Sequence, residues 1–182
     1  MTVLEHYDRL AGEMADRIAS VPEDRWEDPS PCEGWTARDV VSHLVDTPGM
    51  FFGLAEEPPP SGGPSVADDP AGAFAHVRKA VTAALEDPAI ADKEYDSFAG
   101  RSTFAEGIDR FICADLVVHG WDLARATGLD ERMDPDEIRP IHEALEPMDD
   151  KMRGPGAFGP KLEPPEGADE QTKLLCFLGR QP

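Results

Sequence analysis

Hydrophobic residues recur at helical spacing along most of the chain. The apolar positions of the first segment are Leu4, Tyr7, Ala11, Met14 and Ile18. They lie three or four residues apart and so share one face of a predicted helix. Val21-Pro22 ends this helix, because a proline disfavours helical geometry in the residue before it. The same spacing predicts further helices over about residues 37–50, 70–85, 104–127, 135–152 and 169–178.

Start and stop signals flank these segments. They are Thr2 with Glu5, Thr36 with Asp39, Asp69 with Pro70, Thr103 with Glu106, and Gly128. A threonine followed three residues later by an acid favours a capped helix start, and a glycine just past the last turn favours a stop. Pro48 is predicted to kink or end the second helix.

The segments between the helices are rich in proline, glycine and serine. Residues 57–68 and 153–168 are predicted loops, and Tyr95 and Phe98 are expected to anchor an irregular, extended stretch. We find no convincing pair of alternating strands. The pattern therefore predicts an all-α helix bundle of four main helices with shorter extra ones. A chain of 182 residues is expected to form a single domain, 1–182.

The acidic balance of the chain restricts its partners. Thirty-seven acids and 17 bases give a net charge of −20. This charge disfavours nucleic acid and anionic membranes, both of which attract basic proteins. No apolar run or signal peptide is visible, and three distant cysteines form no disulfide framework. We expect a cytoplasmic protein that self-repulsion keeps monomeric or dimeric.

Polar residues interrupt the apolar pattern at two places. In the fourth predicted helix Asp115 and His119 are four residues apart and share one face, which Asp122 continues. His43 stands inside the apolar second helix. Burying such groups unpaired costs about 2–7 kcal/mol, so each needs a partner.

A single divalent ion would satisfy both helices. Imidazole and carboxylate are good zinc ligands, and nickel, iron or manganese would accept the same set. The predicted ligands are His43, Asp115 and His119. Asp122 is predicted to orient one of these ligands without contacting the ion itself. Alternatively, Asp115 simply hydrogen-bonds His119 and no ion is held.

The remaining candidates are weaker. Three histidines are predicted to lie on the surface or to be structural: His6, His76 and His142. No nucleophile-elbow or phosphate-loop motif occurs. Cys32 could approach a metal, although a small buried hydrophobe is the more common role, and Trp35 and Trp121 are expected in the core.

Two segments resemble a known family. They are SPCEGWTARDVVSHL at 30–44 and DLVVHGWDLARATG at 115–128. Both are similar to motifs of the metal-binding domain of mycothiol-dependent maleylpyruvate isomerase, in the DinB-like superfamily. The tail segments PGAFGP at 155–160 and LLCFLGR at 174–180 resemble an uncharacterised actinobacterial branch. The isomerase has Glu at the position of Asp115 and carries a further C-terminal domain.

The resemblance implies an up-down-down-up four-helix bundle that takes three metal ligands from two helices. His43, Asp115 and His119 match those positions. The function it implies is a metal-dependent transferase or isomerase that uses a low-molecular-weight thiol such as mycothiol. Two alternatives stay open: a non-catalytic binding protein, and a bundle that has lost its ion. The substrate is not predicted.

Overall fold

The computed structural model describes residues 1–97, 99–153 and 158–182. Phe98 and part of the predicted tail motif, residues 154–157, lie outside the described residues. The α-helices are α1 (Val3–Ala19), α2 (Ala37–Leu54), α3 (Pro70–Glu86), α4 (Pro88–Ala91), α5 (Phe104–Gly107), α6 (Cys113–Thr127), α7 (Pro135–Leu145), α8 (Asp149–Met152) and α9 (Glu170–Phe177). A hairpin of β1 (Glu94–Ser97) and β2 (Gly100–Thr103) precedes α5.

Four long helices form the bundle that carries the candidate site. The main packing pairs are α1 with α3, α3 with α2, α2 with α6, and α6 with α1. The interior between them is apolar and includes Leu10, Val41, Val81, Ile108 and Leu123. The predicted all-α, DinB-like bundle is confirmed, and α2 is the direct neighbour of α6.

The predicted helix ends are present as hydrogen bonds. Thr2, Thr36 and Thr103 each form a capping box with the acid three residues later. The Asp69 carboxylate accepts from the Gly72 N–H at 2.8 Å. Gly128 ends α6 with φ at 76°, in the left-handed region that glycine adopts without strain.

Pro48 does not end α2, which was one of its two predicted effects, and the helix continues past the predicted bound near residue 50 to Leu54. Phe51 and Phe52, beyond the proline, are both buried. Their packing in the bundle outweighs the hydrogen bond that a helical proline loses.

The stretch before Thr103 also differs from its prediction. It contains an antiparallel hairpin in which Tyr95 pairs with Ser102 and Ser97 with Gly100. Each strand has four residues, and Tyr95 is the buried position of β1. A strand this short, with one buried residue, leaves no readable alternation in the sequence.

The predicted fourth helix is continuous but not uniform. Between α5 and α6 the residues Ile108–Ile112 form a π-helix, in which the Cys113 N–H donates to the Ile108 carbonyl. Gly107 precedes this segment where space is short: a Cβ there would overlap the Tyr95 hydroxyl and lie 2.8 Å from Phe51 Cδ1.

Contacts divide the chain into two compact units, Met1–Glu131 and Arg132–Pro182. In the second unit α7 packs on α9. The predicted helix over 135–152 is interrupted by a 3-10 turn at Glu146–Met148, where Pro147 cannot donate a backbone hydrogen bond. Among the described residues, no helix has the length and apolar character needed to cross a membrane.

Candidate metal centre

His43, Asp115 and His119 come together between α2 and α6. The His43 Nε2 lies 3.2 Å from Asp115 Oδ2, and the His119 Nε2 lies 3.9 Å from Asp115 Oδ1. The two imidazole rings meet edge to face, with centroids 4.7 Å apart. One ligand atom from each residue lies within 4.8 Å of the others. We call these three residues the His43 cluster.

Each histidine of this cluster has a partner for its second ring nitrogen. The His119 Nδ1 lies 2.9 Å from Oδ2 of Asp122, whose side chain is fully buried. The Thr47 hydroxyl lies 3.2 Å from the His43 Nδ1 and 3.3 Å from its Nε2, and it donates to the His43 carbonyl at 2.7 Å. If the Nδ1 atoms carry the protons, both Nε2 lone pairs face Asp115. Asp122 thus lies beside His119, and its supporting role stays a prediction; Thr47 is a neighbour of His43 that the sequence did not suggest.

The cluster follows from the way α2 begins. The Asp39 carboxylate accepts from the Thr36 N–H and hydroxyl, both at 2.8 Å, and these hydrogen bonds lower the pKa of Asp39. The capped start fixes the first turn of α2, and His43 follows one turn after Asp39. The loop before it is closed by the Ser30 N–H, which donates to the Trp35 carbonyl at 2.8 Å.

Trp35 covers the two histidines instead of filling the core. Its ring centroid lies 5.1 Å from that of His43 and 5.9 Å from that of His119. The side chain is half-buried, whereas Trp121 is buried as expected. Trp35 precedes the capped start of α2 by one residue, and this proximity was the available signal for its role.

Cys32 lies closer to the site than its expected role suggested. Its thiol is half-buried and donates to Asp122 Oδ2 at 3.4 Å. The sulfur is 4.0 Å from the His119 Nδ1, so it lies on the opposite side of this ring from Asp115. The prediction of a buried hydrophobe is wrong for Cys32, because the loop turns its thiol toward a buried carboxylate.

The chemistry of the His43 cluster fits a divalent cation. It offers two imidazole nitrogens and a carboxylate, which is the number and kind of ligands that catalytic zinc sites use. The hydrogen bond between the His119 Nδ1 and Asp122 is the usual support for a metal-ligating histidine. The side chains of His43 and Asp115 keep about 27% and 32% of their surface exposed, so one side of the cluster is open to small molecules.

The other three histidines lie apart from this cluster. The His76 Nε2 donates to the Ser61 carbonyl, and the ring of His142 packs on Phe177. His6 is not a plain surface residue, because its Nδ1 lies 2.7 Å from Asp109 Oδ1 on a distant part of the chain.

The bundle and its His43 cluster define the chain as a helical protein of the DinB-like class. It belongs to the family of mycothiol maleylpyruvate isomerase N-terminal domains, whose family model matches residues 7–124. All residues of the His43 cluster, together with Trp35, Cys32 and Asp122, fall within that match.

Two curated relatives have nearly the same length. Both are uncharacterized proteins of Mycobacterium tuberculosis, one from each of two strains. Each is 28% identical to this chain over 190 residues, which cover 99% of the chain and 98% of the relative. No solved structure matches the chain.

Proposed function

We propose that the chain binds a divalent metal ion through His43, Asp115 and His119 and uses it, with a low-molecular-weight thiol of the mycothiol class, in a transferase or isomerase reaction. Zinc is the first candidate, and nickel, iron and manganese suit the same ligands. The observation that carries the metal proposal is the arrangement of the two imidazoles around Asp115. The second nitrogen of His119 is bonded elsewhere, at Asp122, and the Thr47 hydroxyl lies beside the His43 ring.

The thiol partner is proposed from the family and from charge. Two neutral imidazoles and one carboxylate leave a divalent ion with a net charge of about +1, which attracts a thiolate. A bound metal ion lowers the pKa of a thiol or water that it ligates. Asp115 is the acid that lies near the Nε2 atoms of both imidazoles, whereas the Asp122 carboxylate lies at the His119 Nδ1.

The remaining residues of the site act on these ligands. Asp122 holds the proton on the His119 Nδ1 and so keeps the Nε2 lone pair directed at the cluster. The Thr47 hydroxyl lies within 3.3 Å of both ring nitrogens of His43 and packs beside this ring. Trp35 shields one side of both imidazole rings from water. Small molecules would then reach the metal from the side on which Asp115 lies.

Elemental analysis of the full chain, purified without a metal-affinity tag, tests the metal proposal. The expected result is that His43→Ala and His119→Ala each hold one tightly bound divalent ion fewer than the native chain. The matched control is His76→Ala, which removes a histidine outside the cluster and should keep the ion. Protein without bound metal, and with no affinity for added zinc, would refute the proposal.

Thiol dependence separates an enzyme from a binding protein. Metal-loaded protein is incubated with electrophilic substrates, with and without mycothiol, and thiol consumption is followed. Turnover that needs both the thiol and the His43 cluster supports the enzyme. Tight metal and thiol binding without turnover would favour the non-catalytic alternative. Sedimentation of the same preparation tests the proposed monomer or homodimer.

A further inference from the structure

A second group of metal-ligating side chains lies outside the His43 cluster. His6 on α1 contacts Asp109 in the π-helix, with Nδ1 and Oδ1 2.7 Å apart. Cys113, the first residue of α6, completes the group, and one ligand atom from each of the three lies within 4.8 Å of the others. We call these residues the His6 cluster.

The π-helix brings two of these residues to one place. Asp109 lies within the π-helix and Cys113 directly follows it, four residues later. Such segments are rare and are frequently found at functional sites. The third residue comes from α1, which packs on both the π-helix and α6. The cluster is thus built on helices and does not depend on a loop.

The solvent exposure of the three side chains increases from Cys113 through His6 to Asp109. Cys113 is buried, His6 keeps 18% of its side-chain surface and Asp109 keeps 45%. The thiol lies at the bottom and the carboxylate at the solvent edge. An ion can therefore enter past Asp109, and a water molecule can complete its coordination.

The ligand set also differs in kind from that of the His43 cluster. Thiolate, imidazole and carboxylate together are typical zinc ligands, and thiolate selects for soft or borderline metals. One thiolate and one carboxylate neutralise a divalent ion, which favours holding it in a partly buried place. On binding, the sulfur–metal bond replaces the sulfur–hydrogen bond, and the proton passes to water.

We propose that His6, Asp109 and Cys113 form a second cation site, selective for a thiophilic divalent ion such as Zn²⁺. Ligand atoms around one zinc lie on the order of 3–4 Å apart, so the close His6–Asp109 contact opens slightly on binding. The exposed Asp109 carboxylate can make this movement. The site ties α1 to the start of α6, the helix that carries Asp115 and His119.

Cobalt(II) spectroscopy on the full chain tests the proposal. The bands expected are visible ligand-field bands and a near-ultraviolet thiolate-to-cobalt charge-transfer band. His119→Ala serves as the background, because it removes the proposed site in the His43 cluster. This variant should still bind one cobalt ion with the thiolate band. Zinc should displace the cobalt and bleach the band.

Cysteine variants in that background assign the thiolate. Cys113→Ser should lose the band, whereas Cys176→Ser, a matched buried cysteine in the second unit, should keep it. Cys32→Ser should also keep it. Asp109→Asn changes an exposed residue and tests the site without disturbing the core. We expect cobalt affinity to fall at least about 10- to 100-fold, the loss that follows removal of a residue that only supports a ligand. Circular dichroism confirms that each variant is folded.

Two outcomes would overturn the proposal. The first is His119→Ala protein without a thiolate band. The second is a band that disappears in Cys32→Ser but persists in Cys113→Ser, which would assign the thiolate to the neighbourhood of His119. Neither outcome affects the proposal for the His43 cluster, whose test is metal content.

Discussion

Replacing Asp122 by asparagine removes one charge and changes almost no volume. Asp122 is fully buried. Its Oδ2 lies 2.9 Å from the His119 Nδ1 and accepts a hydrogen bond from the Cys32 thiol at 3.4 Å. An asparagine oxygen can still accept from His119, but as a neutral acceptor. Removing such a supporting carboxylate lowers metal affinity by about 10- to 100-fold. That range corresponds to about 1.4–2.8 kcal/mol of binding free energy.

The free protein should be affected as well. A hydrogen bond to a charged group contributes about 1.5–3 kcal/mol to stability, and a neutral one about 0.5–1.5 kcal/mol. We therefore expect metal-free Asp122→Asn to lose about 1–2 kcal/mol of unfolding free energy. The two effects are measured separately, by zinc competition against a chromophoric chelator and by urea unfolding with excess chelator.

Asp92→Asn is the matched control, because Asp92 is exposed in the same unit. It should change unfolding free energy by less than about 0.5 kcal/mol and leave zinc affinity unaltered. The argument fails if Asp122→Asn binds zinc at the His43 cluster within twofold of the native chain while His119→Ala has lost this one ion. In that case Asp122 would stabilise the fold without supporting the metal ligand.

Four further predictions concern the whole bundle. His119→Ala should abolish metal binding at the His43 cluster yet keep the helical circular dichroism spectrum. Chelation should lower the melting temperature of the native chain, because an ion at a hundredfold excess over its Kd adds about 2.7 kcal/mol to the unfolding free energy. Added salt should raise the melting temperature. The acidic groups behind the net charge of −20 repel one another, and 1 M salt shortens the Debye screening length to about 3 Å. An unchanged melting temperature would count against this repulsion. Urea midpoints should fall as the pH drops below about 4. Hydrogen bonds from threonine backbone N–H groups lower the pKa values of Glu5, Asp39 and Glu106, so protonation of these carboxylates removes the stability that the capping hydrogen bonds give. Glu5→Gln should make the urea midpoint less dependent on pH. Gly107→Ala should lose about 1–3 kcal/mol in the same assay, and a neutral result would mean that the hairpin moves aside.

The sequence predicted the bundle because its signals are local. A capping box needs two residues three positions apart, and all three predicted from threonine are formed. The helical spacing of apolar residues is equally local. Features that depend on packing escaped prediction: α2 continues through Pro48 because Phe51 and Phe52 are buried beyond it.

The candidate site divides in the same way. Asp115, His119 and Asp122 are readable as one face of one helix, and His43 was found through the cost of an isolated buried imidazole. Trp35 and Cys32 reach the site from a loop, and no periodicity describes a loop. Their positions depend on the turn closed between Ser30 and Trp35.

The π-helix sets the angular phase of α6. Each residue turns an α-helix by about 100°, so one residue fewer or more rotates everything that follows by that angle relative to what comes before. The segment Ile108–Ile112 lies between the Thr103 cap and the Asp115–His119 face. A one-residue deletion there would restore regular α-helix and leave the composition of the site unchanged. It would turn Asp115 and His119 away from α2. The extra residue of the π-helix therefore sets the rotation of α6 that directs these two side chains at His43.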